Sequence, residues 1–130
     1  MGAFFSTLAL MGVLDGLWLG VVARKFYRSQ LGSLMAARPN WIAAGIFYLI
    51  FAVGVTYFVV NPAIADDRPV SALYRGAFFG LVAYATYDLT NQATIEGWSP
   101  VVTVVDMLWG AIMTAFVGFG AAYLMTRVFG

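Results

Sequence analysis

The sequence predicts an all-α integral membrane protein, a single transmembrane domain over residues 1–130 folded as a four-helix transmembrane bundle with a short amphipathic interfacial helix in the first connector. Two observations predict it. Hydrophobic residues make up 62% of the chain and charged residues only 10%, against roughly 45–50% apolar in soluble domains. The apolar residues also gather into four runs of about the 20 residues that a helix needs to cross the hydrocarbon core. These spans fall at about 3–23, 41–60, 71–93 and 100–125.

The first span lacks a basic leader and is followed by Arg24, Lys25 and Arg28 instead of a small-residue cleavage site, so it reads as a retained anchor. Gly12, Gly16 and Gly20 recur four apart, a smooth stripe that lets another helix approach closely. In the connector from Arg24 to Asn40, Tyr27, Leu31, Leu34 and Met35 alternate at helical spacing with Arg28, Ser29, Gln30 and Arg38. That pattern predicts an amphipathic helix at the interface. Pro39 stops it, because proline disfavours helical geometry in the residue before it, and Trp41 follows as an interfacial anchor.

The second span carries only Tyr48, Thr56 and Tyr57 as polar side chains and reads as scaffold, closed by Asn61-Pro62. The third holds Arg75 one turn inside its start, placed either to reach back to the interface or to pair with an acid. Ser99-Pro100 is a helix-start signal for the fourth, where Gly110, Thr114, Gly118 and Ala122 form a second small-residue stripe. Basic residues number four in the first connector (Arg24, Lys25, Arg28, Arg38) and three on the opposite side (Arg68, Arg75, Arg127). The positive-inside rule then places the connector in the cytoplasm and both termini outside.

Three of these runs carry an acid where lipid is expected: Asp15, Asp88 and Asp106. Counting from the connectors at about 1.5 Å per residue puts all three roughly 8–12 Å deep in the same half of the membrane. Helical spacing places Tyr84, Asp88 and Asn91 on one face, Asp15 with Trp18 on another, and Asp106 with Trp109 on a third, with Tyr87 beside them. An intramembrane acid costs several kcal/mol, so the three should face the bundle interior, pair or take up protons. This layer is the candidate site, and its acids are the candidates for any catalysis. It reads either as a hydrogen-bond network locking the helices, or as working chemistry. The working forms are oxygen ligation of a hard cation such as Mg²⁺ or proton exchange, beside an anionic head group held by Arg24, Lys25 and Arg28. One acid on each of three helices designates no definite metal site.

Other classes are excluded by what is missing. The chain has no cysteine and no histidine, which removes disulfides, thiolate or imidazole metal sites and Ser-His or Cys-His catalytic pairs. A net charge of +1 gives no footing for nucleic acid. There is no phosphate-cradling glycine loop and no Gly-x-Ser-x-Gly elbow.

Arg24-Lys25-Phe26-Tyr27-Arg28, Arg38-Pro39-Asn40-Trp41, the string from Gly80 to Asn91, Val104-Val105-Asp106 and Trp109-Gly110 together resemble an uncharacterised family of small bacterial predicted membrane proteins, a domain of unknown function. The resemblance covers nearly the whole chain and implies a four-span protein of the bacterial inner membrane, whose relatives' genes often neighbour those for fatty-acid or lipid modification. It assigns no catalytic residue. The expected function is therefore an accessory or scaffold protein of membrane-lipid metabolism, pairing with itself or with a lipid-modifying enzyme. The alternatives are a lipid-binding or lipid-modifying enzyme built on the Asp cluster, and a small proton-coupled transporter acting as an oligomer.

Overall fold

The computed structural model describes residues 2–18, 20, 24–32 and 40–129. Leu34, Met35, Arg38 and Pro39, the end of the first expected span, and the side chain of Arg24 lie outside that description. The described residues form five helices and no strand: α1 (Gly2–Leu17), α2 (Arg24–Leu31), α3 (Trp41–Ala65), α4 (Ser71–Thr94) and α5 (Pro100–Val128). Of these, α3 and α5 are long and apolar enough to cross a membrane.

Local chemistry sets the helix starts. The Asn40 side chain accepts a hydrogen bond from the Ala43 N–H (3.1 Å), and the Ser99 hydroxyl accepts one from the Val102 N–H (3.3 Å) with Pro100 at the first helical position. Each cap satisfies a backbone donor that has no partner inside its helix. At Asn61-Pro62, where the sequence predicts an end to the second helix, α3 instead runs on to Ala65. Residues Thr56–Val60 form a π turn, closed by the Asn61 N–H on the Thr56 carbonyl. This wider turn accommodates a proline that would otherwise clash with the carbonyl four residues back.

Helices α4 and α5 make the tightest pair. A Cβ built on Gly76 would lie 2.5 Å from the Thr114 carbonyl oxygen, and one on Gly80 would lie 2.1 Å from that of Gly110, so the two backbones touch. Gly118 receives Val59, brought there by the π turn of α3. The stripe read on α5 is thus spent inside the molecule. The stripe on α1 is not: a Cβ on Gly12, Gly16 or Gly20 meets nothing within 4 Å.

The main core sits toward one end of the bundle, around Met11, Val55, Val59, Val60, Met113 and Val117. Beyond it the loop after α3 ties down two cations. Arg75 pairs with Asp66 (3.6 Å) and Arg127 with Asp67 (3.0 Å), both exposed. Arg75 therefore serves the loop and not the acids of the layer. At the other end α2 lays Tyr27 against Trp98 and Val102, with Phe26, Leu31 and Trp18 around them, and leaves Lys25, Arg28, Ser29 and Gln30 exposed. A helix with the expected apolar and polar faces thus stands in the first connector. Between this cap and the core lies the layer of aspartates.

Candidate functional site: an acidic and aromatic pocket

Asp15 comes from the last turn of α1, Asp88 from the last two turns of α4 and Asp106 from the second turn of α5. Because α4 and α5 are joined by a short loop and packed backbone to backbone, Asp88 and Asp106 are forced to one level. Asp15 is held there by two donors from other helices. The Tyr48 hydroxyl of α3 donates to its Oδ2 (3.0 Å), and the Trp109 indole N–H of α5 donates to its Oδ1 (3.2 Å). For Asp106, the Tyr27 hydroxyl of α2 donates to Oδ1 and itself accepts from the Trp18 indole N–H (3.2 Å). The two indoles stack in parallel, centroids 4.5 Å apart.

Asp88 differs from both. It is completely buried, and neither of its carboxyl oxygens has a hydrogen-bond donor among the described residues. Its neighbour is the carboxyl of Asp106. Two carboxylates in contact repel unless a proton or a cation stands between them. No lysine or arginine is bridged to any of the three acids among the described residues.

Asp106 and Asp15 face a cavity of about 360 Å³ that reaches from Trp98 and Tyr27 at the α2 end to Phe47 and Tyr48 on α3. A smaller recess lined by Phe47, Ala83, Tyr84, Tyr87 and Asp106 extends it between α3 and α4. The opening exists because the first half of α3 stands away from α4, the two helices closing on each other mainly from the π turn onward. Phe47 and Tyr87 are half exposed at its lip. The far wall is made firm by a hydrogen-bond circuit: Trp98 N–H to Thr103 Oγ1 (3.0 Å), Thr103 hydroxyl to Gln92 Oε1 (2.9 Å), and Gln92 Nε2 to the Trp98 carbonyl (3.3 Å).

With this geometry in view, comparison with known proteins places the chain. A family model described as predicted membrane protein (DUF2177) matches residues 1–123. The chain belongs to that family. No curated protein and no solved structure matches it. The family match makes this a membrane protein and carries no activity with it, so chemistry must be read from the site.

In this member of the family the acids gather at one level, but not as three equal partners. Among the described residues no three acids come close enough together to hold a metal ion. Asp15 is occupied by Tyr48 and Trp109, which leaves Asp88 and Asp106 as a pair. Three converging carboxylates on a hard cation such as Mg²⁺, one of the alternatives open from the sequence, are not brought together among the described residues. The indoles also cross over. Trp109, three residues from Asp106, donates to Asp15, and Trp18, three residues from Asp15, donates to the Tyr27 hydroxyl that serves Asp106. Tyr84 puts its ring over Gly110, Tyr87 meets Trp98 edge-on, and Asn91 lies beside Tyr87 instead of on an acid.

Sequence reasoning missed Tyr27 and Tyr48, the two phenols that donate to the layer. Tyr48 was legible in principle, since it lies at helical spacing from the buried Phe51, Ala52 and Val55. Gly76 and Gly80, with Ala72, repeat the small-residue spacing that was read only on α1 and α5.

Chemically, the site presents carboxyls held by phenol and indole donors. The only hydroxyls bonded to its acids among the described residues are phenols, and no serine or threonine is set up as a nucleophile by Asp15 or Asp106. Tyr27→Phe removes the donor to Asp106 and leaves the Trp18 N–H without its acceptor. It is expected to cost about 1–3 kcal/mol, read as a lower thermal midpoint in tryptophan emission. Tyr57→Phe, at an exposed position, should leave the midpoint unchanged.

Proposed function

We propose that the chain is a four-span protein of the bacterial cytoplasmic membrane that binds a ligand in the acidic and aromatic pocket. Supporting four spans, α4 with 24 residues extends about 36 Å, and its two charged residues stand toward opposite ends. Large apolar side chains point outward on each of the four longer helices, among them Phe5, Ile46, Phe78, Leu108 and Phe116. Such a surface is solvated by lipid at no cost and by water at a high one. Lys25 and Arg28 mark the pocket end as cytoplasmic, so the termini lie outside and anionic head groups gather beside the pocket.

The observation that carries the binding role is Asp88. A network that only locked helices would give each acid its donors, as Asp15 has them. Asp88 has no donor among the described residues other than the carboxyl of Asp106, and that carboxyl faces a cavity. Native mass spectrometry of protein released from its own membrane tests this. The expected result is a small molecule bound in fixed stoichiometry, absent from Asp88→Asn protein of equal helicity. Bare protein in both would contradict it.

The α1 stripe favours a second, compatible role. Gly12, Gly16 and Gly20 face open space, flanked by exposed Val13 and Leu17, which suits pairing with a second copy or with a lipid-modifying enzyme as an accessory protein. A Cβ at Gly16 meets no described atom within 4 Å, so in Gly16→Leu the thermal midpoint should hold while co-purification of the partner or the dimer band is lost. Unchanged association would remove this role.

A further inference from the structure

The proposed pocket has a chemical bias that names the class of its ligand. Among the described residues, thirteen line the larger cavity, and of these eight are aromatic, two are aspartates and none is basic. Tyr27, Tyr48, Tyr84 and Trp109 come from four different helices, with Trp18 just past the end of α1 and Trp98 in the loop before α5, so the aromatic wall is a product of the fold and not of one helix face. Most polar edges of this wall are engaged. The N–H of Trp18, Trp98 and Trp109 and the hydroxyls of Tyr27 and Tyr48 donate to protein acceptors. What remains for a ligand is π surface, carboxylate oxygen and the phenol edge of Tyr84.

Among the described residues, a phosphate or carboxylate would find no cation there. A neutral apolar molecule would leave the acids uncompensated. An ammonium ion carried on an apolar body satisfies both walls, since aromatic faces attract cations by about 0.5–2 kcal/mol each and the acids supply opposite charge. A second observation, independent of the lining, points the same way. The Asp88 carboxyl is fully buried and backs onto Asp106, so the pair needs a proton or a cation between them, and Asp106 is the member that faces the cavity.

We infer that the pocket binds an alkyl- or arylammonium group, entering between α3 and α4 past Phe47 and Tyr87. The inference rests on the pocket-binding reading above and adds the sign of the ligand's charge. The same chemistry is present in an aminated lipid head group and in a free lipophilic amine.

The test uses the full chain in micelles of dodecyl maltoside, which is uncharged and carries no ammonium. Trp41, the one tryptophan outside the pocket lining, is replaced in Trp41→Phe protein so that emission reports the pocket. Benzyltrimethylammonium and its neutral carbon isostere, neopentylbenzene, are titrated in parallel. The expected result is saturable quenching by the cation at least tenfold tighter than by the isostere, and at least tenfold weaker cation binding in Asp106→Asn. Competition by added phosphatidylethanolamine identifies the lipid head group as the source, and its absence identifies a free amine. Equal binding of cation and isostere overturns the charge inference and leaves a pocket for neutral ligands. No response to either compound at millimolar concentration overturns the pocket reading as well. The comparison of the two probes needs no variant in the site, so it stands even if Asp106→Asn does not fold.

Discussion

Gly80→Val is expected to separate α4 from α5. A Cβ at that position would lie 2.1 Å from the Gly110 carbonyl oxygen and 2.6 Å from Thr114 Oγ1, and backbone in a packed helix cannot give way as a side-chain tip can. Overpacking typically costs 1–3 kcal/mol, and contact with backbone puts this case at about 3 kcal/mol or more. The loss should extend beyond stability. The α4–α5 pair is what brings Asp88 level with Asp106, so the site goes with the pairing. The comparison is Gly45→Val on α3, where a Cβ meets nothing within 4 Å. Unfolding followed by helicity should show a large loss for the first and little change for the second. Equal behaviour would mean that α4 and α5 do not touch backbone to backbone.

Asp88→Asn should have the opposite sign and a large effect on binding. The native carboxyl receives no donor and faces another carboxyl, whereas an amide donates an N–H to Asp106 and carries no charge. Stability is expected to rise by about 1 kcal/mol, the worth of one hydrogen bond gained, while affinity for an ammonium ligand falls. Asp15→Asn sets the contrast. Asp15 accepts from both Tyr48 and Trp109, one on each oxygen, and an amide can accept only on one, so this variant should lose about 1–2 kcal/mol. Two identical substitutions on different helices with opposite signs would separate a structural acid from a binding one. A loss of stability at both positions would return the layer to a helix lock.

How much of this was legible in the sequence follows from where the information lies. The all-helical architecture, the helix starts at Trp41 and Pro100 and the level shared by three acids are local or periodic facts, carried by run length, Asn40 and Ser99-Pro100, and counts of residues from the connectors. Pairings between helices are not periodic. Nothing in the spacing of Asp15 and Trp18 says that Trp109 will donate to Asp15, or that Trp18 will reach Asp106 only through Tyr27. Those bonds depend on helix rotation, which is set by Gly76 and Gly80 against Gly110 and Thr114. The proline at position 62 misled for a physical reason. Its restriction applies to an α-turn, and the π turn over Thr56–Val60 relaxes it while turning Val59 into the gap left by Gly118. The stripes illustrate the same limit: one is consumed in the α4–α5 interface and the other faces outward, though both obey one spacing rule.

The central claim is that Asp88 stands beside Asp106 behind the wall of the pocket. The absence of native cysteine makes it directly measurable. Protein carrying Asp88→Cys together with Asp106→Cys, kept in its native membrane, is treated with a short bifunctional methanethiosulfonate linker, and the joined α4 and α5 peptides are sought by mass spectrometry. The pair Asp66→Cys with Asp106→Cys, from opposite ends of the bundle, serves as the comparison. The account predicts an intramolecular link in high yield for the first pair, slowed by benzyltrimethylammonium, and none for the second. Thiols at 88 and 106 that each react singly but are never joined would contradict it.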